Sequence, residues 1–424
     1  MNKIRKVAYQ EFIYGLLFVD QYIFIAPDVG TAEFSDLANE IAVKNGYWVG
    51  NAFATGSRDN GISHKKIGIT SKGGYEILKS YGVDRHIGAS FTAIGIGGMA
   101  GDVFGNFMIL SSNIRLLAAF DHQHIFIDPN PDAVESYNER VRLQKLKNAT
   151  WKDYKKLSFG GMVYNRSDNE VKLNYAIRNL IGYNQDFITT DLLIKRILQM
   201  YVDVIISGGV GTYIVSEDEK VDKENRSLQC LPSEIQALYI IEMGNLTITK
   251  NALKELKSKT LSSRIDSSAG VICSDYEVNI KLLSDEIDIL KYVKFVEKMT
   301  LLHMHHKSMT INADYNGIEA VDRYCKFMRI LNEEVAKNIH SIKNKNKVLL
   351  SCFPEDLHNA YYYNIINHKF GQDIVTSQLV NIIMYVVGIQ SIEKLLNRVP
   401  VLLICNYIVD NYSEYFEYFQ QRVP

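Results

Sequence analysis

Three small residues stand at a spacing that suits a bound dinucleotide. They are Gly95, Gly97 and Ala100, in a glycine-rich stretch that runs to Gly101, and the acid Asp121 follows them. In a GxGxxG/A turn the first small residue allows a sharp bend off a strand, the second lets a diphosphate approach the backbone, and the third lets the next helix pack closely on the sheet. A carboxylate after the second strand accepts hydrogen bonds from the adenosine ribose and repels a 2′-phosphate. The pattern therefore predicts NAD rather than NADP.

The flanking sequence predicts the strands and the helix that would position these residues. Residues 91–96 are apolar and β-branched enough for a buried parallel strand, and residues 114–120 form a second one that ends at Asp121. A helix is expected from about residue 100 to residue 110, with its amides and positive dipole end toward the phosphates. Glycine turns between a strand and a helix also arise for structural reasons alone. The second strand and its terminal acid are what favour a dinucleotide site.

A second glycine turn follows another apolar segment. Residues 202–207 are predicted to form a strand, and Gly208 and Gly209 begin the sequence GGVGTY directly after it. Open parallel sheets present loops to a cofactor at the carboxyl ends of their strands. Both glycines are therefore expected at the cofactor site.

Composition narrows the class of protein. A chain of 424 residues with 47% hydrophobic residues can bury large cores, and it is expected to form two or three domains. A net charge of −1 offers no field for nucleic acid or for an anionic membrane surface. The five cysteines show no CxxC spacing, which is typical of reduced thiols in a cytoplasmic protein.

Metal and membrane sites find little support. His303, His305 and His306 share a helical stretch, but no carboxylate or cysteine nearby completes a ligand set, so imidazoles on a solvated helix are the favoured interpretation and no metal is expected. The apolar stretches at residues 379–389 and 399–409 have about half the length that a membrane-spanning helix needs. Both are interpreted as buried core helices.

Seven segments of distinctive sequence resemble segments of the large NAD-specific glutamate dehydrogenases of bacteria, and they occur in the same order as in that family. These segments are APDVGTAEFSDLANEIA from Ala26, HKKIGITSKGG from His64, GIGGMAGDVFGN from Gly95, AAFDHQHIFIDPNPD from Ala118, DVIISGGVGTY from Asp203, IDSSAGVICSDYEVNIK from Ile265 and, more weakly, the stretch from Cys352. The resemblance covers most of the chain, and seven collinear matches are far more specific than one motif.

The resemblance implies an α/β fold with three parts. Residues 1–80 would be a remnant of the substrate domain, and residues 81–281 a Rossmann-like, doubly wound NAD-binding domain. Residues 282–424, where glycine becomes rare and helical periodicity dominates, would form an all-α C-terminal region.

The resemblance also implies roles for single residues. Asp28 matches the acid that shuttles protons during formation and collapse of the carbinolamine and imine, although it also suits a cap before a helix near residue 32. Thr70 falls in a segment near the cofactor. Ser274 matches a serine that binds the glutamate carboxylate, although a serine at a helix start is often an N-cap. Asn245 matches an asparagine close to the nicotinamide and the substrate.

The implied reaction is the reversible conversion of L-glutamate, NAD and water to 2-oxoglutarate, ammonia and NADH. Several positions depart from the family pattern. Gly98 and Asn51 stand where acids are usual, Ser207 and Ser267 where asparagines are usual, and EMGNLTITK replaces EGGNLGLTQ. We interpret these changes as the drift expected when selection on a site relaxes.

The family carries its catalytic and substrate-binding lysines in glycine-rich segments upstream of the acid matched by Asp28. Lys3, Arg5 and Lys6 lie in no such context, so the chain is expected to be a truncated form without the lysine that polarises the keto group. Two hypotheses stay open. One is an enzyme that becomes active with a separately encoded N-terminal fragment, as a homo-oligomer. The other is a non-catalytic, NAD-binding or structural remnant of that enzyme.

Overall fold

The computed structural model describes residues 34–84, 89–209, 211–219, 228–244, 246–312 and 317–420. The chain divides into two compact units. Residues 63–273 form the first, called here the sheet unit, and residues 1–62 with 274–424 form the second, called the helical unit. These divisions fall elsewhere than the predicted boundaries at residues 80 and 281. The three-part scheme stays a prediction.

The sheet unit is built on a six-stranded mixed sheet. Its strands are β1 (Phe91–Ile96), β2 (Ile114–Phe120), β3 (His124–Ile127), β4 (Met162–Asn165), β7 (Val204–Ser207) and β8 (Tyr239–Glu242). The spatial order is β4-β3-β2-β1-β7-β8, and β5 (Glu170–Lys172) pairs with β6 (Phe187–Thr189) in a separate small sheet. Strands β2, β1, β7 and β8 are parallel, whereas β3 runs antiparallel to both β2 and β4. The predicted α/β, Rossmann-like class is confirmed, with an antiparallel extension at one edge.

Helices cover this sheet. They are His64–Ile67, Ile69–Ser80, Phe104–Phe107, Ala133–Gln144, Tyr175–Ile181, Thr190–Leu198, Ala252–Glu255 and Ser263–Asp266, followed by Ala269–Lys281, which contains the residue at which the units divide. Fully buried Ile94, Ile205 and Ile240 come from adjacent parallel strands and belong to one apolar core with Ile197 of a covering helix. Burying such side chains contributes roughly 1.5–3 kcal/mol each.

One predicted element is wrong. The helix expected over residues 100–110 is reduced to the four residues Phe104–Phe107, and residues 99–103 form turns. Two glycines, Gly101 and Gly105, fall in this stretch, and each costs a helix about 1 kcal/mol relative to alanine. A four-residue helix also provides no strong dipole, so phosphate binding would depend on the turn itself.

The strand predictions fare better. Strands β1 and β2 have the predicted bounds, and β7 begins two residues later than predicted, at Val204.

The helical unit contains only helices and connecting segments within its described residues. Its α-helices are Ser35–Lys44, Val293–Asn312, Gly317–Asn338, Lys345–Ser351, Glu355–Ala360, Tyr362–Ile366, Gly371–Val387, Ile389–Leu396, Val401–Asp410 and Tyr412–Gln420. The all-α C-terminal region is thereby confirmed. In the part of the chain that the structure describes, no single helix is long and apolar enough to cross a bilayer. Gly371–Val387 and Ile389–Leu396 reach that length only as a pair bent by 109°.

Candidate functional site

The carboxyl ends of four parallel strands lie in one row. Ile96 at the end of β1 pairs with Phe120 of β2 on one side and with Ser207 of β7 on the other, and Ser207 pairs with Glu242 of β8. The chain leaves β1 toward β2 in one direction and reaches β7 in the other. A reversal of strand order of this kind opens a crevice at the carboxyl edge, where ligands of open α/β sheets bind.

The first two glycines of the fingerprint fit against a side chain. Gly97 has φ +145°, in the region that favours glycine, and its N–H donates to Phe120 O at 2.8 Å. A Cβ atom on Gly97 would lie 2.6 Å from Phe104 Cβ, and one on Gly95 would overlap the Phe104 ring. These glycines therefore allow the short helix Phe104–Phe107 to lie directly on the end of β1.

Glycines also join the turns that follow β1, β7 and β8. The Gly208 N–H donates to Ile96 O at 3.0 Å, and a Cβ atom on Gly208 would lie 2.8 Å from Phe104 N. A Cβ atom on Gly209 would lie 3.0 Å from Ile96 O, and one on Gly244 would overlap Gly209 O. The floor of the candidate site is therefore formed by backbone packed on backbone.

Asp121 lies above this floor with its two carboxylate oxygens in different roles. Oδ1 accepts the N–H groups of Gln123 and His124, both at 2.7 Å. Oδ2 lies 2.8 Å from the position that a Cβ atom on Gly98 would take. The acid thus caps its own turn with one oxygen, and the other oxygen lies beside Gly98; its role toward a ribose stays a prediction.

Next to Gly98 the turn is open. Ala100 and Gly101 are exposed, and a Cβ atom on Gly101 would meet only Gly98 O, at 3.0 Å. The absence of the family's usual acid at position 98 now has a physical consequence. Any side chain at position 98 would approach Asp121, so the glycine there leaves room for the Asp121 carboxylate.

The helix Ile69–Ser80 carries Thr70 at its first turn and reaches the same edge of the sheet. Ser71 Oγ donates to Val103 O at 2.6 Å, which ties this helix to the turn that follows β1. Thr70 Oγ1 lies 3.7 Å, and His64 Nδ1 3.4 Å, from the position of a Cβ atom on Gly270. Burial lowers the pKa of His64 to about 4. Thr70 is therefore in the sheet unit with the glycine turns, and its role at the cofactor stays a prediction.

Two buried acids near the end of β8, Glu242 and Asp266, were not predicted from the sequence. Glu242 is 1% exposed at the end of β8, where its Oε1 accepts the Ile248 N–H at 3.1 Å and its Oε2 accepts the Ser263 N–H at 2.9 Å. Its own N–H donates to Asp266 Oδ2 at 2.7 Å. Burial raises the pKa of Glu242 to about 7, and burial together with the Glu242 charge raises the pKa of Asp266 well above its usual range. The position of Glu242 at the carboxyl end of an apolar strand was the available signal.

The departures from the family pattern have partners. Ser207 and Thr247 are fully buried, and their hydroxyl oxygens lie 2.5 Å apart. Met243 replaces a glycine of the family pattern, and its sulfur occupies the space above Gly74, where a Cβ atom would overlap it. Ser267 Oγ donates to Ser263 O at 2.5 Å. These replacements therefore form hydrogen bonds or fill space, and their interpretation as drift stays a prediction.

The predicted substrate residues are distributed differently. Ser274 belongs to the helical unit, where its Oγ lies 2.8 Å from Thr55 Oγ1 and its side chain is buried. It stands inside the helix Ala269–Lys281, so the alternative that it is an N-cap is wrong. Asp28 and Asn245 lie outside the described residues. Leu246, directly after Asn245, has φ +68° and is 71% exposed.

Comparison with known proteins decides the family. A family model for the catalytic domain of bacterial NAD-glutamate dehydrogenase matches residues 10–322. This chain belongs to that family. NAD-specific glutamate dehydrogenase of Mycobacterium tuberculosis is 42% identical over 304 residues, which are 67% of this chain and 18% of the relative. The enzyme of that name from Halomonas elongata is 42% identical over 282 residues, covering 63% and 17%.

The family assignment has a defined extent. The chain spans about 18% of the length of the bacterial glutamate dehydrogenases that it matches. A solved glutamate dehydrogenase is 14% identical with a TM-score of 0.42 over 70% of this chain and 59% of the other. Plasmodium falciparum glutamate dehydrogenase 2 is 13% identical with a TM-score of 0.45 over 72% and 60%.

Proposed function

We propose that this chain forms the NAD-binding part of an NAD-dependent glutamate dehydrogenase. The reaction would convert L-glutamate, NAD and water to 2-oxoglutarate, ammonia and NADH. One observation carries the cofactor half of the proposal: Asp121 Oδ2 lies beside Gly98, 2.8 Å from the position that a Cβ atom would take there, while Oδ1 accepts the N–H groups of Gln123 and His124. A fixed carboxylate beside a side-chain-free turn suits a ribose diol joined to a diphosphate.

The residues at the carboxyl edge fit this cofactor in order. Asp121 would accept the adenosine ribose hydroxyls, and the turn from Gly97 to Gly101 would admit the diphosphate. The row that continues through Gly208 and Gly209 would face the nicotinamide end, with Thr70 nearby. A carboxylate at position 121 repels a 2′-phosphate, which favours NAD over NADP.

The chemistry divides between cofactor and protein. When bound, NAD supplies the nicotinamide C4 that accepts a hydride from Cα of L-glutamate. We assign the substrate steps by family resemblance. Asp28 would move protons to and from the amine and the attacking water, Ser274 would hold the substrate carboxylate, and Asn245 would orient the substrate beside the nicotinamide. Exclusion of water and correct orientation would supply much of the rate.

Turnover also needs the lysine that polarises the keto group in this family. A positioned acid or base typically contributes about 10²- to 10⁴-fold in rate. We therefore expect glutamate-dependent NADH formation when this chain acts together with a lysine-bearing segment of the family, in a homo-oligomer.

A second candidate is NAD binding without turnover. The Ser207–Thr247 pair favours it, because two short hydroxyl side chains satisfy each other where the family has an asparagine and a glycine. An asparagine amide reaches further and offers both a donor and an acceptor. Adding a lysine-bearing family segment to this chain and measuring NADH formation separates the candidates, since the second predicts binding with no rate.

Calorimetric titration with NAD tests the cofactor proposal. Asp121→Asn keeps an acceptor for the Gln123 and His124 amides but replaces the second oxygen with a donor. We expect it to weaken NAD binding about tenfold, the effect of one charge-assisted hydrogen bond. Asp186→Ala, which removes an exposed acid paired with Arg178 in the same unit, should leave affinity unchanged. No heat with the unaltered chain at millimolar NAD would overturn the proposal.

A further inference from the structure

The loop after β8 is held by buried bonds on both sides. The Met243 and Gly244 N–H groups donate to Ser207 O at 2.8 and 2.9 Å. On the far side, the N–H groups of Tyr213 and Ile214 donate to Thr247 O at 2.9 and 3.0 Å. The loop is thus attached at one end to β7 and at the other end to the segment that follows the second glycine turn, and the exposed Leu246 marks its apex.

Glu242 closes this loop from inside. Its Oε1 accepts the Ile248 N–H, so the side chain at the first end of the loop binds the backbone at the other end. Its Oε2 accepts the Ser263 N–H, which fixes the carboxylate to the helix Ser263–Asp266. Asp266 in turn accepts the Glu242 N–H. The carboxylate therefore has one acceptor for the loop and one for its anchor.

Burying the Glu242 carboxylate costs free energy, which suggests that holding the loop is its purpose. An unpaired or partly paired buried carboxylate loses its hydration, and an apolar residue of similar size would serve packing alone at less cost. A left-handed backbone at Leu246 adds about 1–2 kcal/mol for a residue that is not glycine. Both costs are explained if the loop's apex must adopt one conformation at the site.

From this geometry we infer that Glu242 is a positioning residue for the nicotinamide end of the site: it fixes the ends of the loop, at residues 243–244 and 247–248, so that the exposed apex at Leu246 faces the nicotinamide. The inference rests on the proposed NAD function. It goes beyond that function because neither the glycine fingerprint nor the acid at position 121 requires Glu242. The adenosine end, held by Asp121 and Gly98, makes no use of this loop.

Binding of two ligands separates these ends. NADH contains the nicotinamide, whereas ADP-ribose contains the adenosine ribose and the diphosphate without it. Glu242→Gln removes one of the two acceptors and the charge, and it preserves size. We expect it to weaken NADH binding, followed by nicotinamide fluorescence, about tenfold. ADP-ribose affinity, measured by calorimetry, should stay within about twofold, because the adenosine contacts are unchanged.

Glu139→Gln is the matched control. Glu139 is also buried in the sheet unit and accepts a backbone N–H, that of Lys155 at 2.5 Å, but it lies on the helix Ala133–Gln144. It should change neither affinity. Equal losses for both ligands in Glu242→Gln would show a merely structural role and overturn the inference, as would no loss for either.

Hydrogen exchange distinguishes failure of this inference from failure of the proposed function. In Glu242→Gln the amides of residues 243–249 should exchange faster, with little change in residues 91–121. Unchanged exchange of these amides would overturn the inference that Glu242 anchors the loop, regardless of the ligand affinities. If the unaltered chain binds neither ligand, the proposed function fails. The nicotinamide role then falls with it, even where exchange shows that Glu242 holds the loop.

Discussion

One polar cluster in each unit shows a different use of interior polar groups. In the sheet unit, the buried Glu242 binds the backbone amide that ends a loop at the carboxyl edge and an amide of the helix Ser263–Asp266. In the helical unit, the side chains around His303 bind each other. Tyr276 Oη and Gln378 Oε1 each lie 3.3 Å from His303 Nε2, and Gln378 Nε2 donates to Tyr412 Oη at 3.4 Å. Glu242 thus fixes a loop at the candidate site, whereas the side chains around His303 join helices.

The histidines of the helical unit illustrate the second use. The prediction of imidazoles on a solvated helix is wrong for His306, which is 3% exposed and packs its ring 4.1 Å from that of Tyr385. Among the described residues, no three His, Cys, Asp or Glu side chains form a group that suits a metal ion. His303 and His306 instead contact side chains of neighbouring helices.

Acid should weaken the helical unit through His368. Burial lowers the pKa of this histidine to about 4 from 6.5, and its Nδ1 accepts the Phe370 N–H at 3.1 Å while Nε2 faces Asn279 O at 3.1 Å. A depressed pKa in a base means that the unfolded chain binds the proton first. Stability is therefore full above about pH 6.5 and falls toward pH 4, by up to about 3 kcal/mol.

The chain's two tryptophans allow this to be measured unit by unit. Trp48 lies in the helical unit and Trp151 in the sheet unit, so a Trp151→Phe background reports on the first by fluorescence during urea unfolding. His368→Asn in that background should reduce the loss of stability between pH 6.5 and 4.5, and the loss that remains includes the share of His303, whose pKa burial also lowers to about 4. His340→Asn, an exposed histidine of the same unit, should leave the loss unchanged. An equal slope in all three proteins would contradict the assignment.

The glycine floor of the sheet unit should tolerate no added side chain. A Cβ atom on Gly208 would lie 2.8 and 2.9 Å from Phe104 N and Cα, so backbone must move. We expect Gly208→Ala to cost about 2–3 kcal/mol, the usual range for overpacking, and to abolish NAD binding. Gly182→Ala is the control, because nothing lies within 4 Å of its Cβ position and only its φ of +61° is unfavourable, at about 1 kcal/mol. Similar losses in both variants would show that packing does not decide the cost.

The match between Gly74 and Met243 tests whether the site was repacked or has decayed. Gly74→Ala should cost about 2 kcal/mol because its Cβ atom overlaps Met243 Sδ. Met243→Ala should cost about 2 kcal/mol through the cavity that it leaves. The double variant should recover about 1 kcal/mol relative to the sum, measured by urea unfolding in a Trp48→Phe background. Strict additivity would favour drift over repacking.

Much of the fold and part of the candidate site followed from local pattern. Strands Phe91–Ile96 and Ile114–Phe120 were predictable because a continuous run of apolar, β-branched residues is typical of a strand buried on both faces. The helix over residues 100–110 was not, because the prediction gave more weight to the fingerprint than to the two glycines, Gly101 and Gly105, within that stretch. Glu242 was missed since an acid that ends a strand looks the same whether it is solvated or fully buried.

By itself, the sequence determined the class of fold, the glycine turns, the acid that follows them and the family, since these depend on the order and spacing of residues. Only the tertiary structure decided which residues meet. Ser207 and Thr247 are forty positions apart, yet they share a buried hydrogen bond. Gly74 and Met243 share one space, and Gly98 leaves room for Asp121. The physical reason is that close packing pairs residues by position in space, and a sequence shows each member of such a pair without its partner.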